Sequence, residues 1–172
     1  MPAYSLLFTV ALRIIHQCIK IGLDFCLYKQ NSRLFGCADM TVELRPECAE
    51  IMKRQRHGEP AGRAKITKAY NLPCRYIIHT VGPIINNTVT CKDEEILTSC
   101  YLSCLELAEK YHIKSIAFCC ISTGEYRFPN KTAANIAVNT VISYKQRTGS
   151  KIEVIFNVFK DHDYRIYREL LG

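Results

Sequence analysis

The stretch Ile116-Ala117-Phe118-Cys119-Cys120-Ile121-Ser122-Thr123-Gly124-Glu125-Tyr126-Arg127-Phe128-Pro129 constrains the fold most tightly. A short apolar strand runs into small hydrogen-bonding residues, and a proline placed to start a helix follows. Such a turn directs backbone N–H groups and hydroxyls at one spot above the strand end. The helix that follows adds the positive end of its dipole, so the spot suits an anion or a phosphate.

The rest of the chain supplies the matching layers. Arg75 to Val81 reads as a strand ended by Gly82-Pro83, and Thr90 is placed to cap a helix whose first turn holds Asp93, Glu94 and Glu95. Ile96, Cys100, Cys104 and Leu107 give that helix an apolar face. Ser115–Ile121 is the next strand, followed by a helix from Pro129 to about Lys145. Ile152–Phe159 is a near-continuous apolar run, as expected of a strand covered on both faces, and Tyr164–Leu171 closes the chain as a helix. Upstream, Ser5–Ile15 and Gly22–Tyr28 read as strands. Val42, Leu44, Cys48, Ile51 and Met52 recur at helical spacing between Thr41 and Gln55, and His57-Gly58-Glu59-Pro60 stops that helix. Strands alternating with helices predict an α/β fold with ligands at the carboxyl ends of the strands.

Length and composition narrow the class. A chain of 172 residues fits one domain, and 48% hydrophobic with 23% charged residues is the balance of an ordinary globular protein. The net charge of +7 is partly gathered in Lys53, Arg54, Arg56, Arg63, Lys65 and Lys68. No aromatic side chain lies among these charges to stack a base, so they read first as a solvated face and second as an RNA or poly-anion surface. The ten cysteines include no Cys-x-x-Cys pair; they read as small core residues of a reducing compartment, with Cys119 and Cys120 on opposite faces of a strand. Met1 to Leu12 is apolar but lacks a basic lead, and Arg13, His16 and Lys20 interrupt it short of a membrane span. The expectation is a cytoplasmic protein with no membrane association.

From Gly62 onward the chain resembles a macrodomain, the ADP-ribose-recognising α/β module. The resemblance is carried by Gly62 to Pro73, by Tyr76-Ile77-Ile78-His79-Thr80-Val81-Gly82-Pro83, by Cys119 to Pro129, and by Val154 to Asp161. It covers about two-thirds of the chain. Cys119 to Glu125 is most similar to the zinc-containing bacterial branch, whose members remove ADP-ribose from proteins. The implied architecture is three-layered, a mixed central sheet between helices. It forms a single domain over 1–172, with a degenerate N-terminal part at 1–37, a shortened loop at 38–47 and a well-matched part at 62–172.

The resemblance also implies roles. Ser122, Thr123 and Gly124 would wrap the diphosphate, and Tyr126 would pack on the distal ribose. Phe159 would stack on adenine, while Phe156 reads as core by strand alternation. Asp24 falls where a carboxylate accepts from the adenine amino group, a charge-assisted bond worth about 1.5–3 kcal/mol. Asn31 falls on the distal-ribose asparagine, which positions the reacting end, and Glu125 is a second candidate catalytic group there. His79, inside an apolar strand, reads as structural. Tyr28, Lys29 and Gln30 depart from the family's pattern.

The largest departure concerns metal. In the resembling branch a histidine and a second cysteine follow the Gly-Cys pair, as a tetrahedral zinc site requires. Here Ala38 to Glu47 alone separates Cys37 from Cys48, and no histidine occurs between His16 and His57. Cys37 is the only retained candidate ligand, so no zinc and no other cofactor is expected. Three readings follow: a protein-ADP-ribose hydrolase acting on mono-ADP-ribosylated protein, an ADP-ribose reader without turnover, and an inactive truncated product.

Overall fold

The computed structural model describes residues 4–8, 25–28, 38–70, 74–158 and 160–172. In chain order these form β1 (Tyr4–Phe8), β2 (Phe25–Tyr28), α1 (Ala38–Gln55), β3 (Ala64–Lys68), β4 (Tyr76–Thr80), α2 (Cys91–Lys110), β5 (Ser115–Phe118), α3 (Asn130–Thr148), β6 (Glu153–Val158) and α4 (Asp161–Leu171). The strands make one sheet in the order β1-β6-β5-β2-β4-β3, parallel except where β3 runs antiparallel to β4.

The two sheet faces bury different layers. Ile78, Ile116, Phe118, Val154 and Phe156 face α2, α3 and α4, and their neighbours there include Leu97, Tyr101, Leu105, Ala137, Val141 and Tyr167. On the other face Ile77 and Ala69 pack with Leu44 of α1. Helices on both sides of a mixed sheet give the expected three layers. The apolar run of β6 is indeed covered twice, with Val154, Ile155 and Phe156 all at most 1% exposed.

Local chemistry explains most boundaries. Thr90 and Asp93 form a reciprocal capping box at the start of α2, each side chain satisfying the other's backbone N–H. Gly149, at φ 71°, ends α3 in the left-handed conformation that suits glycine. Pro129 does not occupy the first helical position, as its residue type suggested. It is the N-cap of α3, and helical geometry begins one residue later at Asn130. The strand β5 is shorter than its apolar run, because Cys119 already leaves the sheet to begin the next loop. Cys119 and Cys120 therefore do not alternate across a strand; both are half-buried and pack against the same core.

Residues 38–47, for which the resemblance implied a shortened loop and the apolar spacing a helix from Thr41, are helical throughout: α1 begins at Ala38 and holds Pro46 inside it. A proline there provides no N–H to the carbonyl of Val42, so the helix is continuous across a missing bond. Leu44, 7% exposed, supplies the apolar contact that holds this segment on the sheet.

Candidate functional site at the carboxyl edge of the sheet

Parallel register brings the ends of the strands to a common edge. Tyr28 lies opposite His79, Phe118 opposite Phe156, and Phe8 opposite Val158. The loop 119–128 leaves the middle of this edge, between the end of β5 and the start of α3. It is pinned on three sides. Phe128 N–H donates to the Ser122 carbonyl at 3.0 Å, Arg127 N–H to the Gly124 carbonyl at 3.0 Å, and Ile85 N–H to the Tyr126 carbonyl at 2.9 Å. Phe128, 1% exposed, anchors the loop in the core.

Within this frame the N–H groups of Thr123, Gly124 and Glu125 donate to no described residue. Successive free N–H groups in a pinned turn are the elements of an anion cradle. The left-handed backbone positions are Ser122 (φ 63°) and Arg127 (φ 58°), not Gly124. Non-glycine residues in that region cost free energy, and such strain concentrates at functional loops. The Thr123 hydroxyl donates to the Cys120 carbonyl at 3.2 Å. Its single proton is committed to the loop, so the cradle's free donors are backbone groups. The Ser122 Oγ is buried with no partner among the described residues, in a residue only 1% exposed. Glu125 is exposed, and Tyr126 is half-buried at the rim.

One determinant was not visible as such in the sequence. A Cβ added to Gly82 would stand 2.1 Å from the Ser122 Oγ and 2.9 Å from Ile121 Cγ2. Gly82 is therefore the surface on which the loop rests. In the sequence it marked only the end of a strand; its closeness to Ser122, forty residues later, is a product of the tertiary fold.

Below the loop lies an aromatic column. Tyr101 meets Phe118 edge-on at 5.0 Å, Phe118 lies 6.3 Å from Phe156, and Phe156 lies 5.0 Å from Tyr167. Asn130, at the start of α3, donates to the Asp163 carboxylate at the start of α4. The loop thus sits on a fixed base. Burial, with the Asp163 carboxylate adding to it, pushes the Cys120 thiol far up, so this cysteine is held as an inert neutral thiol.

His79 is 6% exposed, and its Nε2 lies 2.9 Å from the Thr67 hydroxyl. Burial lowers its pKa to about 4, which fits a structural residue and not a base working near neutrality. An unfolded histidine takes up its proton near pH 6.5, so between pH 6.5 and about 4 the unfolded chain binds the extra proton. The stability contributed by neutral His79 is full above pH 6.5 and falls as pH drops towards 4. The loss should approach about 3 kcal/mol, and it should be much smaller in His79→Gln; denaturant midpoints at stepwise pH will read both.

Several predicted residues, Asp24, Asn31, Cys37 and Phe159, lie outside the described residues. Ser122, Thr123, Gly124, Glu125 and Tyr126 are brought together at the carboxyl edge. Phe156 is core, 1% exposed. The six basic residues from Lys53 to Lys68 are spread over the end of α1, the following loop and β3, and Arg54 pairs with Glu50 at 3.0 Å. No helix among the described residues is long and apolar enough to cross a membrane.

A family model for the macro domain matches residues 38–137. The chain belongs to the macro domain family. This macro domain is 45% identical over 163 residues to a protein-ADP-ribose hydrolase of Staphylococcus aureus (strain MSSA476), covering 87% of this chain and 61% of that protein. It is 52% identical over 131 residues to a protein-ADP-ribose hydrolase of Treponema medium, covering 76% of this chain and 50% of that one. It therefore spans about half to three-fifths of the length of these curated relatives. Among solved structures it superimposes on the Oceanobacillus iheyensis macrodomain with ADP at a TM-score of 0.81 and 31% identity, covering 98% of this chain and 89% of that chain. The three-layer α/β architecture expected of the macro domain is the one observed.

Among the described residues no group of three or more His, Cys, Asp or Glu side chains converges, and Cys37, the one retained candidate ligand, lies outside them; residues 38–47, expected as a shortened remnant of a metal loop, are folded into α1.

Proposed function

We propose that this macro domain binds ADP-ribose across the carboxyl edge of its sheet and is of the protein-ADP-ribose hydrolase type, acting on mono-ADP-ribosylated protein. The observation that carries the reading is the pinned loop 122–126 with its unspent N–H groups, on a chain whose relatives are named for that activity. Thr123, Gly124 and Glu125 would hold the diphosphate through their backbone N–H groups, with Ser122 beneath and Tyr126 against the distal ribose. Asp24 would accept from the adenine amino group and Phe159 would stack on the ring. Asn31 would orient the distal ribose, and Glu125 is the polar side chain offered to the reacting end. The free cysteines suit the cytoplasm.

One observation favours a second reading, an ADP-ribose reader without turnover. Residues 38–47 form helix where the resemblance places the metal loop, and cleavage at an anomeric carbon needs its activating group held in one geometry. A release assay on mono-ADP-ribosylated protein, run with and without a metal chelator, separates the two. Release in both conditions supports a hydrolase that works without metal. Binding without release supports the reader, and release abolished by chelation would contradict the account of residues 38–47.

A further inference from the structure

Strand β6 carries a single polar side chain in its apolar interior. Val154, Ile155, Phe156 and Val158 are buried, and Asn157 stands half-buried among them. Its Oδ1 is fully covered, and among the described residues nothing bonds to either end of the carboxamide. A covered amide oxygen without a donor costs free energy that an apolar side chain of the same shape would not. Such an orphan in a native core needs an explanation, and a missing ligand is one.

Its position ties it to the loop 119–128. Phe156 is paired with Phe118, the last residue of β5, so Asn157 lies one step beyond the point where β5 ends. There the neighbouring chain has turned away as Cys119, while β1 still flanks Asn157 through Leu7. Asn157 thus stands at the carboxyl edge, about one strand spacing of 4.8 Å from the root of the loop. Alternation turns it to the face of Ile155, away from Phe118, Phe156 and Tyr167. The hydroxyls of Tyr101 and Tyr167, on α2 and α4, lie across the sheet from it.

The chemistry of the orphaned group fits a base. A carboxamide offers one acceptor and one donor side by side. Adenine presents the complementary pair on one edge, the 6-amino donor and the N7 acceptor, and Asn or Gln pairs with both at once. Hypoxanthine has a carbonyl oxygen in place of the amino group, as guanine does, beside the same N7. One of the two bonds is then lost whichever way the carboxamide is turned. Positions two apart on an extended strand share a face, and Phe159, next but one in the sequence, is proposed above to stack on adenine. The amino group has two N–H bonds, so this contact stands beside the one proposed for Asp24.

We infer that Asn157 reads the adenine of ADP-ribose, its Oδ1 accepting from the amino group and its Nδ2 donating to N7. The inference rests on the ADP-ribose reading above and names a specificity determinant of that site. It is tested by calorimetry of the full chain with ADP-ribose and with its hypoxanthine counterpart, IDP-ribose. The intact domain should prefer ADP-ribose by at least about tenfold, the scale of one bidentate contact to a base. Asn157→Leu keeps the shape without the polar atoms. That variant should bind ADP-ribose about tenfold more weakly and IDP-ribose almost unchanged, so the preference falls by the same factor. Asn157→Val should do the same, and a cooperative urea transition shows that each variant is folded. An unchanged preference in the folded variants overturns the inference alone, as it would if buried water satisfied the carboxamide. Equal losses for both ligands would put the contact on a ribose hydroxyl and overturn it too. Failure of the intact domain to bind ADP-ribose overturns the site reading, and this inference with it.

Discussion

Replacing Gly82 with alanine is expected to weaken ADP-ribose binding by at least about tenfold while the domain stays folded. The added methyl would stand 2.1 Å from the Ser122 Oγ, a contact that cannot exist without movement. Relief by side chains alone would need the Ser122 hydroxyl to turn about χ1 and Ile121 Cγ2, 2.9 Å away, to retreat as well; both residues are buried, so the expected response is a shift of the loop. The displaced N–H groups of Thr123 to Glu125 would then miss the diphosphate, and losing even one hydrogen bond to a charged oxygen, worth about 1.5–3 kcal/mol, is tenfold or more in affinity. Overpacking should also lower stability by about 1–3 kcal/mol. The double variant Gly82→Ala/Ser122→Gly should recover much of the binding, since it removes the clashing hydroxyl and glycine suits the positive φ. Calorimetry alongside denaturant titration separates the two effects. An affinity for Gly82→Ala equal to that of the unaltered domain would show that the loop does not depend on this contact.

Phe156→Ala should give the largest loss of stability, about 3–5 kcal/mol. Phe156 is 1% exposed and packs against Phe118 and Tyr167, joining β5, β6 and α4 at one point. Truncation leaves a cavity directly beneath the loop, between rings too rigid to collapse into it. Urea unfolding should show a lowered midpoint with an unchanged slope. A loss under about 1 kcal/mol would mean that the column is not the support of the site.

How much of this was legible in the sequence depends on where the determining contacts lie. The helix α2 could be read because its cap, Thr90, and its acidic first turn are local signals. The cores of β4, β5 and β6 could be read because strands covered on both faces are continuously apolar. The strand β3 was not singled out, since Ala64-Lys65-Ile66-Thr67-Lys68 alternates charge with apolar residues as an edge strand does. The helix α1 begins at Ala38, three residues before Thr41, where the spacing places its start; the apolar recurrence begins only at Val42, so the first turn carries no such signal. At the site, the residues of the turn were visible but their geometry was not. The sequence suggested that hydroxyls and Gly124 would do the binding. The fold spends the Thr123 hydroxyl on the loop and places the left-handed residues at Ser122 and Arg127. The dependence on Gly82 is a contact between distant segments, which no local pattern records.

The central claim is that the unspent N–H groups of the pinned loop hold the diphosphate of ADP-ribose. Titration calorimetry of the full chain with ADP-ribose tests it most directly. The account predicts saturable one-to-one binding that falls at least about tenfold in Gly82→Ala and recovers in Gly82→Ala/Ser122→Gly. The absence of binding at millimolar ADP-ribose would contradict it.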